Sequence, residues 1–294
     1  MQIRRRDFLK DSVFGAAALT VLGLRPGAAS ARMALKDARI KVGGCDWSLR
    51  QEGKLGSFAV AKKAGLDGVE VSCGKGEDKL PISDAAFQKA LLEEAKKHDL
   101  PIPSTCLEIL HRDALKDHPR APRWVEEAIG PTHALGARVI LLPFFGPRSI
   151  NQRSEQKAVA ERLKPIAPAA EKAGVVLALE NTISAEDNAW ILEAVGSPAV
   201  KVYYDVGNSF GKFDIYKELV WLGKDRLAQI HLKDREVLLG KGKIDFPRVV
   251  ESILKSGFEG WCMLETAVVG TVEDSFSKNA DYVRGLLAEK AAKS

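Results

Sequence analysis

The chain has 294 residues, of which 46% are hydrophobic and 28% charged, and a formal net charge of +5. A length of this order suits one large α/β domain. No concentrated basic patch is visible, and a nucleic-acid surface would need one.

The first 31 residues read as an export signal rather than as part of a fold. Arg5-Arg6-Asp7-Phe8-Leu9-Lys10 resembles the twin-arginine consensus R-R-x-F-L-K. An apolar run follows from Val13 to Leu24, and Ala29-Ser30-Ala31 matches an A-x-A cleavage pattern. A membrane anchor is the alternative, but the run is shorter than the about 20 residues a bilayer requires. The expectation is a twin-arginine signal peptide over residues 1–31, the twin-arginine translocase as export partner, and a periplasmic or otherwise exported destination. A domain over residues 32–294 remains, 263 residues long. The leader carries +3 of the net charge, which leaves this domain near +2.

The domain alternates short apolar runs with longer amphipathic ones. Predicted strands are Arg39–Cys45, Gly68–Cys73, Ile102–Leu107, Arg138–Phe144, Val175–Glu180, Lys201–Val206, Ala228–Leu232 and Trp261–Glu265. Most are continuously apolar, as parallel strands covered on both faces should be. Between and after them lie predicted helices: Ser57–Ala64, Ser83–His98, Arg123–Leu135, Ser154–Ala173, Ala185–Val195, Ile215–Leu222, Phe246–Lys255 and Val272–Glu289. Gly65, Gly174 and Gly257 mark helix stops. Gly130-Pro131 should kink or split the third helix.

Eight strand–helix units in a domain of this size predict a single (β/α)8 TIM barrel. An open doubly wound sheet is the runner-up, but the first strand ends Gly43-Gly44-Cys45-Asp46-Trp47, which is no phosphate-binding fingerprint. Cys45, Cys73, Cys106 and Cys262 form no C-x-x-C pair and are read as small buried thiols.

Function in such a barrel sits where the strands end. Glu180, Asp205, His231 and Glu265 end the fifth to eighth strands, and adjacent strands lie about 4.8 Å apart, so the four should meet in one quadrant of the rim. Each acid taken alone could equally cap a helix or pair with a Lys or Arg. Three carboxylates brought together need a cation. An oxygen-rich set with one imidazole favours manganese, with magnesium, cobalt or zinc as alternatives.

Leu179-Glu180-Asn181, Tyr204-Asp205-Val206-Gly207-Asn208, Ile230-His231-Leu232-Lys233-Asp234 and Leu264-Glu265-Thr266 resemble the metal-site motifs of the sugar phosphate isomerase/epimerase family, in the xylose isomerase-like TIM barrel superfamily. Leu239–Phe246 resembles that family's loop after the seventh strand. The resemblance implies one divalent metal on Glu180, Asp205, His231 and Glu265, with the two glutamates exchanging protons with a sugar. Two positions depart from the free-ketose 3-epimerase pattern. Asn208 stands where those enzymes carry His, as in the sugar-phosphate branch, and Val237 stands where they carry Arg.

A site of this kind supports three outcomes from one enediolate: epimerisation, aldose–ketose isomerisation, and loss of a β-leaving group. A metal-dependent sugar isomerase or epimerase is the leading expectation. A 3-keto-glycoside lyase or hydratase and a non-catalytic sugar-binding barrel are the alternatives. The expected partner is a small sugar, self-association into a homo-oligomer is left open, and nucleic acid is not expected: too few other histidines exist to build the trinuclear zinc site of apurinic endonucleases, which share this fold.

Further substrate-binding candidates are Trp47 as a stacking platform, Glu108, His111, Asn181, Asn208 and Lys233. Glu70 and Glu108 could bind hydroxyls or be held inside the barrel. Asn181 could contact a hydroxyl or fix a turn. Lys233 is expected on the opposite side from His231 unless the strand end twists.

Overall fold

The computed structural model describes residues 39–291. The export-signal assignment over residues 1–31 lies outside them. Strands β1 (Ile40–Cys45), β2 (Val69–Ser72), β3 (Ser104–Cys106), β4 (Val139–Pro143), β5 (Val176–Glu180), β6 (Val200–Asp205), β7 (Leu227–Leu232) and β8 (Gly260–Leu264) follow in chain order. All pair in parallel with their sequence neighbours, and β8 returns to β1, closing a barrel. The predicted (β/α)8 architecture is thus observed.

Helices α1 (Ser57–Lys63), α2 (Ala85–His98), α3 (Ala121–Ala134), α4 (Arg153–Leu163), α5 (Ala167–Ala173) and α6 (Ala185–Val195) follow β1 to β5. A single turn, α7 (Val206–Ser209), leaves β6, and then come α8 (Ile215–Arg226), α9 (Phe246–Lys255) and α10 (Val272–Ala291). Their buried faces cover the outside of the sheet with Phe58, Leu91, Trp124, Val159, Ile191, Leu219, Val249 and Phe276. Inside the barrel, Cys45, Cys106, Val139, Leu141, Ala178, Tyr203 and Met263 pack as a second cluster, so the centre is filled and not a pore. The two glycines of β1 admit this packing from both sides. A Cβ on Gly43 would come within 2.5 Å of Met263 Cε, and one on Gly44 within 2.7 Å of Leu66 Cδ1.

Two helices differ from expectation. Helix α3 runs unbroken through Pro131. Proline deletes one hydrogen bond to the carbonyl four residues back, but Trp124, Val125, Ala128, Ile129 and Thr132 are buried on both sides of it and hold the helix together. The predicted helix over Ser154–Ala173 is instead two, α4 and α5, separated at Lys164-Pro165-Ile166. Lys164 and Ile166 keep right-handed helical dihedrals, but neither Pro165 nor Pro168 has an N–H to donate, so the ladder is interrupted there although Leu163, Ile166 and Ala167 are buried. The stops at Gly65, Gly174 and Gly257 take φ of +71°, +64° and +72°. All four cysteines are buried and free. Among the described residues, no helix is long and apolar enough to cross a membrane.

Candidate active site

The carboxyl ends of β5 to β8 bring Glu180, Asp205, His231 and Glu265 together. Each offers a ligand atom within 4.8 Å of the others. His231 Nδ1 lies 3.0 Å from Glu180 Oε1, 3.6 Å from Glu265 Oε2 and 3.8 Å from Asp205 Oδ2. The register pairs Asp205 with His231 directly and sets Leu264, the residue before Glu265, against Leu232. Ligand-type side chains therefore reach one height on the rim.

Lys233 closes the cluster. Its Nζ donates to Asp205 Oδ2 at 2.8 Å and to Glu265 Oε2 at 2.5 Å. It does not point away from His231. Residues i and i+2 of a strand share a face, so the pleat itself puts Lys233 beside the cluster, and no twist is required. Trp47, following β1, donates its indole N–H to Glu265 Oε1 at 3.1 Å. Asn208 donates its side-chain amide to Asp205 Oδ2 at 3.0 Å and, at a longer 3.4 Å, to Glu180 Oε1. Its backbone N–H is capped by Asp205 Oδ1 at 2.8 Å, which fixes the turn α7 against the strand end.

The electrostatics follow from crowding. Burial pushes Asp205 up to about 7, with Lys233 opposing and the Glu265 and Glu180 charges reinforcing. Glu265 is held at about 2, because the opposing pull of burial is outweighed by His231 and Lys233. Three carboxylates here demand positive charge, and the one lysine supplies only part of it. The donor set, hard oxygens plus one imidazole nitrogen, fits a divalent cation held by Glu180, Asp205, His231 and Glu265.

A cavity of about 460 Å³ opens above the cluster. Its lining includes Trp47, Glu108, His111, Asn208, Lys233, Glu180 and Glu265, all expected at the site, together with Glu52, Ser72, Lys75 and Phe145. His111 stacks on Phe145 with ring centroids 5.9 Å apart, and burial lowers its pKa below the ordinary histidine value. Glu108 accepts from the N–H groups of Cys73 and Gly74 at 3.0 and 2.7 Å, and burial pushes it up to about 7 against those bonds.

Asn181 is not in the lining. Its amide is buried in a reciprocal pair with Asn188, at 2.7 and 3.1 Å, and it caps Ile183 N–H at 3.2 Å. Of its two readings, the structure supports turn fixing. Glu70 lies inside the barrel beneath His231 rather than in the cavity.

Asp46, which also follows a strand, has a structural role. It accepts from Gly53 N–H, Ser72 N–H and Ser72 Oγ–H at 3.0, 2.9 and 2.7 Å, stapling the loop after β1 to β2. Its place directly after β1 was the available signal. Phe145 follows the fourth predicted strand directly, whereas Glu52 and Lys75 lie in loops where no strand end marks them.

The fold and the rim cluster define a barrel of the sugar isomerase and epimerase kind. The chain belongs to the xylose isomerase-like TIM barrel family, whose model matches residues 58–286. It is 28% identical over 259 residues to the L-ribulose-5-phosphate 3-epimerase UlaE of Escherichia coli (strain SMS-3-5 / SECEC), covering 80% of this chain and 90% of that one. Among solved structures it resembles a D-allulose 3-epimerase from Methylomonas sp., with a TM-score of 0.70, 15% identity, and coverage of 85% and 98% of the two chains. It also resembles the 3-keto-D-glucoside 4-epimerase YcjR from E. coli, with a TM-score of 0.67, 16% identity, and coverage of 84% and 99%.

Proposed function

We propose that this protein is a divalent-metal-dependent sugar epimerase or isomerase working through an enediolate. One observation carries the reading: Glu180 and Glu265 stand at the two ends of the β5–β8 arc, on either side of His231 Nδ1, at 3.0 and 3.6 Å from it. A hydroxy-carbonyl sugar in the cavity above them would be within reach of both carboxylates. One removes the proton beside the carbonyl and the other returns a proton to the opposite face or to the neighbouring carbon. A bound divalent cation, with manganese favoured, supplies polarisation of the carbonyl and stabilises the charge that develops on oxygen. Trp47 and Lys233 hold the two oxygens of Glu265 and fix its aim. Asn208 steadies Asp205 and Glu180 but, being an amide, shuttles no proton at neutral pH.

Asn208 and the likeness to UlaE point toward a sugar phosphate. The export signal proposed for residues 1–31 points away from one, because phosphorylated sugars are mainly cytoplasmic. We favour a free or oxidised sugar met outside the cytoplasm after twin-arginine export. The translocase partner, the exported location and a homo-oligomeric state are parts of this proposal.

A second reading, a 3-keto-glycoside as substrate with lyase or hydratase chemistry at the same centre, draws support from a second hollow. It is about 460 Å³ in volume and shares Trp47, Glu52, Lys75 and Glu108 with the first. That extra room suits an aglycone or a second ring. A non-catalytic binding barrel would not require paired acids.

The test is NMR in D2O on a panel of free, phosphorylated and 3-keto sugars with manganese. Deuterium beside the carbonyl with an inverted or migrated product supports isomerase chemistry, and a released aglycone supports the lyase. Full turnover by both Glu180→Gln and Glu265→Gln on the true substrate would falsify the proton-transfer assignment.

A further inference from the structure

The two ring nitrogens of His231 face two different sets of groups. Nδ1 faces the rim cluster. Nε2 faces down the barrel, 3.3 Å from Glu70 Oε2 and 3.3 Å from Cys45 Sγ. Glu70 has no exposed surface. Its Oε2 also accepts from the Tyr203 hydroxyl at 2.8 Å and from the Cys45 thiol at 3.6 Å, whereas its Oε1 has no partner. His231 is the only basic side chain paired with it among the described residues.

A carboxylate buried this deeply is costly, and it makes no contact with the cavity. Neither substrate binding nor a surface ion pair accounts for it. It does have one consequence for the site. By accepting the Nε2 proton, Glu70 selects the tautomer of His231 whose Nδ1 lone pair points at Glu180, Asp205 and Glu265. A metal-ligating imidazole requires that orientation, and a carboxylate behind it makes the ring a stronger donor. The Tyr203 hydroxyl, itself fully within the barrel, holds the accepting oxygen of Glu70 in place.

We infer that Glu70, aimed by Tyr203, is a positioning residue of the metal centre that fixes His231 for coordination through Nδ1. The inference rests on the metal reading above. A competing arrangement uses the same atoms: Cys45, Glu70 and His231 Nε2 could together hold a second cation. The two assign opposite roles to Nε2, donor in one and ligand in the other. The Tyr203 hydroxyl and the Cys45 thiol converge on the same Glu70 oxygen that Nε2 faces, an arrangement of donors around one acceptor, which favours the donor.

The experiment titrates chelator-treated full-length protein with manganese and cobalt by calorimetry, and follows the metal-induced rise in Tm. Wild type should bind one ion. Glu70→Gln, which keeps shape and removes charge, should bind it roughly 10–100-fold more weakly. The metal-dependent increment in Tm should shrink in step. Tyr203→Phe keeps the carboxylate but frees it, and should show a smaller loss in the same direction; it serves if Glu70→Gln does not fold. A wild type that binds no ion overturns the metal reading itself. A wild type that binds one ion, with Glu70→Gln and Tyr203→Phe equally tight, overturns only the role of Glu70. Two ions per chain, with a thiolate-to-cobalt absorption band lost in Cys45→Ser, overturn it in favour of the second cation.

Discussion

The Nζ of Lys233 lies 2.8 Å from Oδ2 of Asp205, an oxygen that His231 Nδ1 also approaches, at 3.8 Å. Burial works to strip the Lys233 proton, but Asp205, Glu265 and Glu180 hold it on and raise its pKa above the ordinary lysine value. The ammonium is therefore a built-in partial counter-charge for the proposed metal ligands. Lys233→Met should have two opposite effects. Without metal the protein loses stability, on the order of 3–5 kcal/mol, as expected when a buried charge loses its partner. Manganese should then bind on the order of tenfold more tightly, because the competing cation is gone. Urea unfolding in chelator and calorimetric titration read the two effects. Weaker metal binding in Lys233→Met would show that Lys233 supports the metal instead of competing with it.

The same lysine shows which features the sequence made legible. Strands and barrel were readable because double-sided burial writes itself as continuous apolar runs. The rim cluster was readable because four such polar residues close four consecutive strands, although any one of them alone could cap a helix or form an ion pair. The position of Lys233 follows from the period of two along the strand. What lay beyond reach depends on three-dimensional neighbours. The sequence cannot show that Asn188 lies against Asn181, that Tyr203 reaches across the barrel to Glu70, or that packing carries α3 through Pro131 while Pro165 divides α4 from α5. The contacts turn on which side chains meet in three dimensions, and whether a helix survives a proline turns on the packing around it and on further missing donors such as Pro168.

Glu108 gives the site a pH-dependent element. Burial raises its folded pKa from an ordinary 4.5 to about 7. Between those values the unfolded chain has released the proton while the folded chain keeps it. The stabilising contribution is therefore full below about pH 4.5 and is lost as pH rises through 7, by ~3 kcal/mol in all. Asp46, raised to about 6 chiefly by burial, contributes with the same sign. Glu108→Gln cannot titrate, so its stability should fall less than that of wild type between pH 5 and pH 8. Urea midpoints at the two pH values give the comparison. Identical slopes in the two proteins would place the Glu108 pKa near its ordinary value.

The reciprocal amide pair of Asn181 and Asn188 predicts strong coupling. Either alanine substitution leaves the other buried amide without its partner, at a cost of about 1–3 kcal/mol. Once one is gone, removing the second should cost only its remaining bond, Ile183 N–H to Asn181 or Asn188 to the Ser184 carbonyl, so the double variant should be less destabilised than the sum of the singles. A double-mutant cycle by chemical denaturation measures this. Glu180 directly precedes Asn181, so both single variants should also weaken metal binding by a few-fold. Additive stabilities would mean that the two amides act independently.

Gly207 tests how firmly the turn after β6 must seat Lys233. A Cβ at this position would stand 2.9 Å from the Lys233 carbonyl oxygen and collide with the aliphatic stem of the same residue at Cγ. The backbone oxygen cannot step aside without moving the end of β7, and the stem cannot move without lifting Nζ from Asp205 and Glu265. Gly207→Ala should therefore cost about 1–3 kcal/mol of stability, typical of overpacking in a close-packed interior. Turnover on the substrate found by the sugar panel should fall with it. The collision with the stem can be separated from the collision with the backbone. In a Lys233→Ala background the stem is gone and only the carbonyl contact remains, so the stability cost of Gly207→Ala should drop by about half or more. An undiminished cost in that background would put the whole constraint on the backbone, and the seating of the Lys233 side chain would then not depend on glycine at this turn.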